Sequence, residues 1–310
     1  MTVRPRAGSG RALVVLVAVV AVVWVSCGVG LMKLPSGPGA PAPDAADLLG
    51  QATSACRGVR TFTAEIGVSG SIAAHKTRVR LSAGFAVPAS ARLEAVAPFG
   101  QPLFIFVATA SDATLLLPRD ERVLEHGPPD AVLEAVTRVP FGVAQLRATL
   151  TACPTGTSDA TGARKFGNLW RAVPVGADGE VYLHRDSAST PWRLVVAIRH
   201  ATGSQRGWRA EYGDFQGDLP RTVRVMSESA GPSGFDLRLA LSQVETNVPL
   251  DPDVFRVQIP KSADPITLEE LKQVGPFPPP RPLARVVGVK KDELRQSGPL
   301  SGKPPAANVR

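Results

Sequence analysis

The sequence predicts a mainly β, α+β chain built on one antiparallel sheet of about eleven strands that curls on itself. Three observations predict it. Apolar residues recur at every second position in several runs, such as Phe62, Ala64, Ile66 and Val68 against Thr61, Thr63, Glu65 and Ser69. Turn formers separate these runs, including Pro88-Ala89-Ser90, Pro118-Arg119-Asp120, Ala177-Asp178-Gly179 and Gly231-Pro232-Ser233-Gly234. Finally, 29 prolines in 310 residues are too many for a mostly helical chain.

The chain opens with Arg4, Arg6 and Arg11 before an apolar run from Ala12 to Val25, followed by Ser26 and Cys27. A basic start and a short apolar run read as an export signal over residues 1–27. Trp24-Val25-Ser26-Cys27 resembles a lipobox, which would make Cys27 a lipid-attachment site; Trp24 stands where Leu is usual. A second reading keeps Ala12–Met32, which carries no charge, as an uncleaved anchor of roughly 30 Å. A third is plain secretion. All three send the rest of the chain out of the cytoplasm, and the first two tether it to a membrane.

Residues 28–43 are rich in Pro, Gly and Ala and read as a semi-extended linker that does not pack. A folded domain is expected over 44–275. Asp44 stands where it would cap a helix bearing Leu48, Leu49, Ala52 and Cys56. Six strands follow. One holds Val79, Leu81, Ala83 and Phe85 on a single face; another, Leu103–Val107, is apolar on both and is expected to be covered on both. Two mid-chain helices come next, one with Asp130 as its expected cap and one over Val143–Ala152. Five further strands place Trp192, Leu194, Val196 and Ile198 on one face, Trp208, Ala210 and Tyr212 on another, and Phe235, Leu237, Leu239 and Leu241 on a third. Thr267-Leu268-Glu269-Glu270 is a capping box for a last helix. Too few helices alternate with strands for parallel βαβ units. A sheet this long curls, and only these helices are available to cover its apolar inside. Residues 276–310 read as a disordered, basic, Pro-rich tail.

The net charge of +8 is scattered, with neither the clustered cations nor the interleaved aromatics of a nucleic-acid groove. His75, His126, His184 and His200 show no metal-ligand spacing, so neither metal nor cofactor is expected. No Gly-Xaa-Ser-Xaa-Gly elbow appears, and the pairs Asp120/Glu121 and Glu269/Glu270 have ordinary roles in a turn and at a helix start. These readings disfavour an enzyme.

Arg92-Leu93-Glu94-Ala95-Val96-Ala97-Pro98-Phe99-Gly100-Gln101-Pro102-Leu103 resembles a segment of the lipoprotein-localisation proteins LolA and LolB, more closely LolB. Pro249–Val257 resembles the closing segment of that superfamily, in which a Phe after a short polar turn leads into the last strand. The resemblance spans about 44 to 260. It implies an unclosed antiparallel β-barrel with a helical lid and a cavity for acyl chains. It also implies a periplasm-facing, membrane-tethered protein, on the outer membrane in preference to the inner. Its partners would be lipid or acylated lipoprotein, and its role that of a lipoprotein acceptor. It places Phe99 near a loop residue that assists insertion into the bilayer; the alternative is that Phe99 folds back into the core. The other function class is an interaction or sensor module in an envelope assembly, with the basic tail reaching a protein partner.

Phe62, Phe85, Phe104, Phe106, Trp192 and Phe235 supply much of the sheet's apolar face, as core or as cavity lining. Cys56 and Cys153 each end an expected helix. In an oxidising compartment they read as a disulfide, with two separate buried thiols as the alternative.

Overall fold

In the computed structural model, residues 30–96, 102–159, 161–203, 205–229, 231 and 233–274 are described. Fifteen strands form one sheet. They are β1 (Ala40–Pro41), β2 (Thr61–Ile72), β3 (His75–Ala86), β4 (Ser90–Val96), β5 (Pro102–Ala108), β6 (Ala113–Leu117), β7 (Arg122–Gly127), β8 (Arg164–Phe166), β9 (Trp170–Val175), β10 (Gly179–His184), β11 (Arg193–Arg199), β12 (Trp208–Gly213), β13 (Thr222–Ser227), β14 (Phe235–Thr246) and β15 (Asp264–Pro265). The count exceeds the expected eleven mainly because β1, β8 and β15 are two or three residues long, too short to leave a periodic trace. The order across the sheet is β1-β8-β9-β10-β11-β12-β13-β14-β2-β3-β4-β5-β6-β7-β15. The sheet is unclosed, and its ladders are antiparallel apart from the parallel β7–β15 pair.

This order makes two meanders, β2–β7 and β8–β14, joined where β14 pairs with β2. The connection from β7 to β8 therefore runs from one edge region of the sheet to the other. It does so through the concave side, as helices α3 (Pro129–Thr137) and α4 (Val143–Leu150), for which the labels α1 (Ala45–Ala52) and α2 (Ser54–Arg57) precede and α5 (Leu268–Val274) follows. Val132, Leu133 and Val136 of α3 and Leu150 of α4 lie in the same apolar cluster as Phe62, Phe85, Phe106 and Leu183 of the sheet. Leu49 of α1 and Leu271 of α5 join it. Burying a side chain such as Leu133 contributes about 1.5–3 kcal/mol.

The alternation expected of Trp192, Leu194, Val196 and Ile198 fails midway. The β10–β11 register shifts so that Leu183 faces Leu194 while Tyr182 faces Val196, leaving Val195 as an extra residue. An extra residue reverses the faces beyond it. Leu194 and Ala197 lie in the concave core, whereas Val195, Val196 and Ile198 join Ala172 and Tyr182 in a second cluster on the outer face. Met32 and Leu34 pack on that cluster. The Met32 N–H donates to Glu211 Oε1 (3.0 Å), Arg209 Nη2 donates to the Met32 carbonyl (2.6 Å), and Ala40–Pro41 pairs with Lys165 and Arg164. The stretch read as a non-packing linker is thus docked over its described part, because the bulge exposes apolar surface for it to cover. An anchor over Ala12–Met32 would have to end before Met32.

Two expected caps do other work. Asp44 occupies the N-cap position of α1 but makes no side-chain cap bond. Its carboxylate instead accepts from Arg171 Nε (3.2 Å) and Nη2 (2.9 Å). Asp130 caps the following helix: its Oδ1 accepts from the Val143 N–H (2.9 Å), and a Cβ on Gly142 would sit 2.4 Å from the same carboxylate. The Thr267–Glu270 capping box forms as read, with the Glu270 N–H donating to Thr267 Oγ1 (3.2 Å) and the Thr267 N–H to Glu270 Oε2 (2.8 Å).

The closing segment departs from its expected form. Pro252–Phe255 is a single 3-10 turn, and among the described residues no long strand follows. Arg92 Nη1 donates to the carbonyls of Val254 (3.2 Å) and Arg256 (3.0 Å), which ties the chain to the outer side of β4. The chain then crosses to β7, where Asp264 N–H and Ile266 N–H donate to the carbonyls of Glu121 and Val123. The strands between bury Val107 and Leu116 on the face away from the main core, so β5 is covered on both sides as expected.

Two outcomes check these assignments. The double substitution Met32→Asp/Leu34→Asp should strip hydrogen-exchange protection from residues 32–41 and lower stability by about 1–2 kcal/mol, since both side chains are half-buried. Unchanged protection would mean that the segment is held by β1 alone. Arg171 is nearly buried, and its hydrogen bonds hold the Asp44 carboxyl below its ordinary range. The contribution of a carboxylate lowered in the folded state is present above its unfolded value of about 3.9 and is lost as pH falls through the folded value. Asp44→Asn should therefore lower Tm by a few degrees at neutral pH, and the deficit should shrink below about pH 4. A deficit that is the same at both pH values would remove the charge from the account.

Candidate functional site

The hairpin registers place the strand ends in two sets. Turns 73–74 and the starts of β5, β12 and β14 lie at one end of the curled sheet; the β10–β11 and β12–β13 connections lie at the other. Between them the concave face is filled by helices. Phe62, Phe85 and Phe106 are fully buried, and Phe104 and Phe235 nearly so, all within the main core. None of these five lines either of the two large clefts, which open one at each end. Cys27 and Phe99 lie outside the described residues.

The smaller cleft, of about 520 Å³, is lined by Leu48, Ala52, Ala152, Trp192 and Phe215 among others. Trp192 is the one expected cavity aromatic found in a cleft. Its ring is flanked by two guanidiniums, Arg171 at 4.8 Å and Arg185 at 4.7 Å from the centroid. Arg171 also donates to the Trp170 carbonyl (3.0 Å), and Arg185 to the Asn168 carbonyl (2.9 Å). Both cations are thus held in place by backbone acceptors and serve to fix the ring.

Beside this cleft Cys56 and Cys153 are joined, with Cα atoms 5.6 Å apart and a separation of 97 positions in sequence. The link ties α2 to the segment just after α4. In the chain-entropy view, closing a loop of that length contributes roughly 4–5 kcal/mol. Among the described residues, no group of three or more His, Cys, Asp or Glu side chains is placed to hold a metal ion.

The larger cleft, of about 1090 Å³, lies between the β2–β3 hairpin, α3 and α5. Its floor is Ile72, Val79, Leu103, Ala131, Ala135 and Val136. Small residues on α3 leave the room: at Ala131 and Ala135 the helix offers only methyl groups. The hairpin turns at Ala73 and Ala74, both at positive φ (50° and 64°), a conformation normally taken by Asn-Gly. Cations stand at the rim, among them Lys76, Arg78, Arg138, Arg206 and Lys272. Sequence reasoning missed this site because its residues come from six separated segments, none of which is unusual alone.

No protein-family model matches the chain, and no curated protein matches it. Among solved structures it is similar to a LolA superfamily protein from Nitrosomonas europaea, at 12% identity over 68% of this chain and 96% of that one, with a TM-score of 0.47. It is similar to a DUF1329 family protein from Desulfovibrio piger, at 9% identity over 70% of this chain and 98% of that one, TM-score 0.44. It is also similar to the lipoprotein LppX of Mycobacterium tuberculosis, at 13% identity over 66% of this chain and 98% of that one, TM-score 0.29.

Proposed function

We propose that this chain is a membrane-tethered protein of the bacterial envelope that binds lipid, or the acyl chains of lipoproteins, and catalyses no reaction on them. The observation that carries the reading is the larger cleft: about 1090 Å³ with an apolar floor, open at one end of a curled sheet whose inside is otherwise filled. A flexible chain needs a dry, greasy wall and little else. The floor offers this, and its opening beside α3 gives a path along that helix. The sealed phenylalanines make the bound chain lie in the cleft and not in the centre of the sheet, unless the helices move.

The sequence supports the location. The basic, apolar start ending at Cys27 supports export and acylation, and the joined cysteines suit an oxidising compartment facing the periplasm. The outer membrane is the proposed surface, with the chain in the role of an acceptor in lipoprotein transport. Phe99, between the segments that form β4 and β5, is the proposed bilayer or acyl contact. One observation favours a second reading, an interaction or sensor module: residues 275–310 carry seven Lys/Arg against two Asp/Glu, a composition suited to a protein partner.

Two experiments test the proposal. Ala131→Trp fills the cleft from a half-buried position. It should cut binding of a fluorescent fatty acid by about tenfold, equivalent to ~1.4 kcal/mol, while Tm stays within a few degrees. Binding that survives would place the ligand elsewhere. Palmitate labelling in cells should mark the wild type and not Cys27→Ala, which should lose its membrane association and keep its fold. A wild type that stays unlabelled would leave the uncleaved helix as the tether.

A further inference from the structure

We propose that the larger cleft receives the anionic head group of a phospholipid, with the acyl chains on its apolar floor. This rests on the lipid-binding reading and names the class of lipid. Five Lys and Arg residues line the cleft against a single carboxylate, a net charge of +4 at one site in a chain whose total is +8. The carboxylate, Glu134, is spent on Arg206 at 2.9 Å. Among the described residues no carboxylate pairs with Lys76, Arg78, Arg138 or Lys272. These four are also exposed, so holding them together without counterions costs repulsion that an anion would relieve.

The five cations do not share one face: Lys76 and Arg78 alternate with Thr77 and Val79 along β3, so their side chains project from the face opposite Val79, at the edge of the cleft. Lys76 and Arg78 come from β3, Arg138 from the end of α3, Arg206 from the β11–β12 connection and Lys272 from α5. Elements remote in sequence thus deliver like charges to one rim. Beneath that rim lie Ile72, Val79, Leu103 and the methyl face of α3. A free phosphate would use the cations and leave the floor bare. A neutral lipid would use the floor and leave the cations unpaired. Only an anionic amphiphile meets both.

The test uses the full chain in a neutral detergent, titrated with fluorescent phosphatidylglycerol or phosphatidylcholine of identical acyl chains. Phosphatidylglycerol should bind about tenfold tighter at low salt, each cation near the head group contributing roughly 1 kcal/mol. The gap should close at about 0.5 M salt, where the Debye length is roughly 4 Å. Arg138→Ala/Lys272→Ala should bring the two lipids within about twofold. If that variant does not fold, the exposed Lys272→Glu alone should reduce the preference. Equal affinity of the wild type for both lipids overturns the head-group proposal and leaves lipid binding standing. Binding of neither lipid overturns both. Full displacement by millimolar inorganic phosphate, with no dependence on the acyl chain, makes the cleft a free-anion site and overturns the proposal as well.

Discussion

The ladder between β2 and β14 sets the rest of the structure. These are among the longest strands, and they pair from Phe62 with Thr246 to Ile72 with Phe235. Because the first long strand of the domain pairs with the last, the two meanders fuse into one sheet and their far ends become its edges. The stretch between the meanders must then travel from β7 to β8 across the width of the sheet. The concave side is where apolar side chains face it, so α3 and α4 lie there. The ladder itself is close-fitting. At Gly70, with φ of 142°, a Cβ would come within 2.0 Å of the Asp236 carbonyl oxygen. A side chain at this one position would push the two meanders apart.

A lid placed by topology is also a plug. The helices fill the interior with Leu133, Val132 and Leu150, and the phenylalanines of the sheet close against them. What remains open are the two ends, and they differ. One is stiffened by the Cys56–Cys153 link and by a tryptophan clasped between two arginines. The other has a hairpin overhang, small residues on α3 and unpaired cations. A bridge of this kind acts mainly on the unfolded state and on the local mobility of what it joins. It therefore favours the unlinked end as the one that admits a ligand.

Much of this fold was legible in the sequence, and the reasons are local. Phe62–Val68 and Phe235–Leu241 alternate without interruption, so period two reads directly as burial. Thr267 and Glu270 need only each other to make a capping box. The errors arose where a residue's partner lies far away in sequence. Asp44 and Asp130 have the composition of caps, but Arg171 and Val143 claim their carboxylates. The bulge at Val195 sits in the run Leu194-Val195-Val196-Ala197-Ile198, where every residue is apolar and alternation carries no information about facing. The clefts were illegible for a related reason. Lys76, Arg138, Arg206 and Lys272 are ordinary surface residues in their own segments, and only the strand order brings them to one rim. The large aromatics drew attention as cavity lining, yet large side chains fill space; the room was left by Ala131 and Ala135.

The docked N-terminal segment bears on how such a protein would work at a membrane. A free linker of sixteen residues, as over 28–43, would let a domain wander by roughly 20–24 Å. Met32 and Leu34 remove most of that freedom by lying on the outer face of β9–β12, held by Glu211 and Arg209. Under the proposed acylation of Cys27, only four residues lie between the lipid-bearing residue and Met32, a reach of at most about 18 Å of extended chain. The domain would then be held close to the bilayer with limited rotation, and a cleft at its strand ends would meet lipid repeatedly without diffusing to find it. Such a tether suits a protein that receives or passes on lipid at its own membrane.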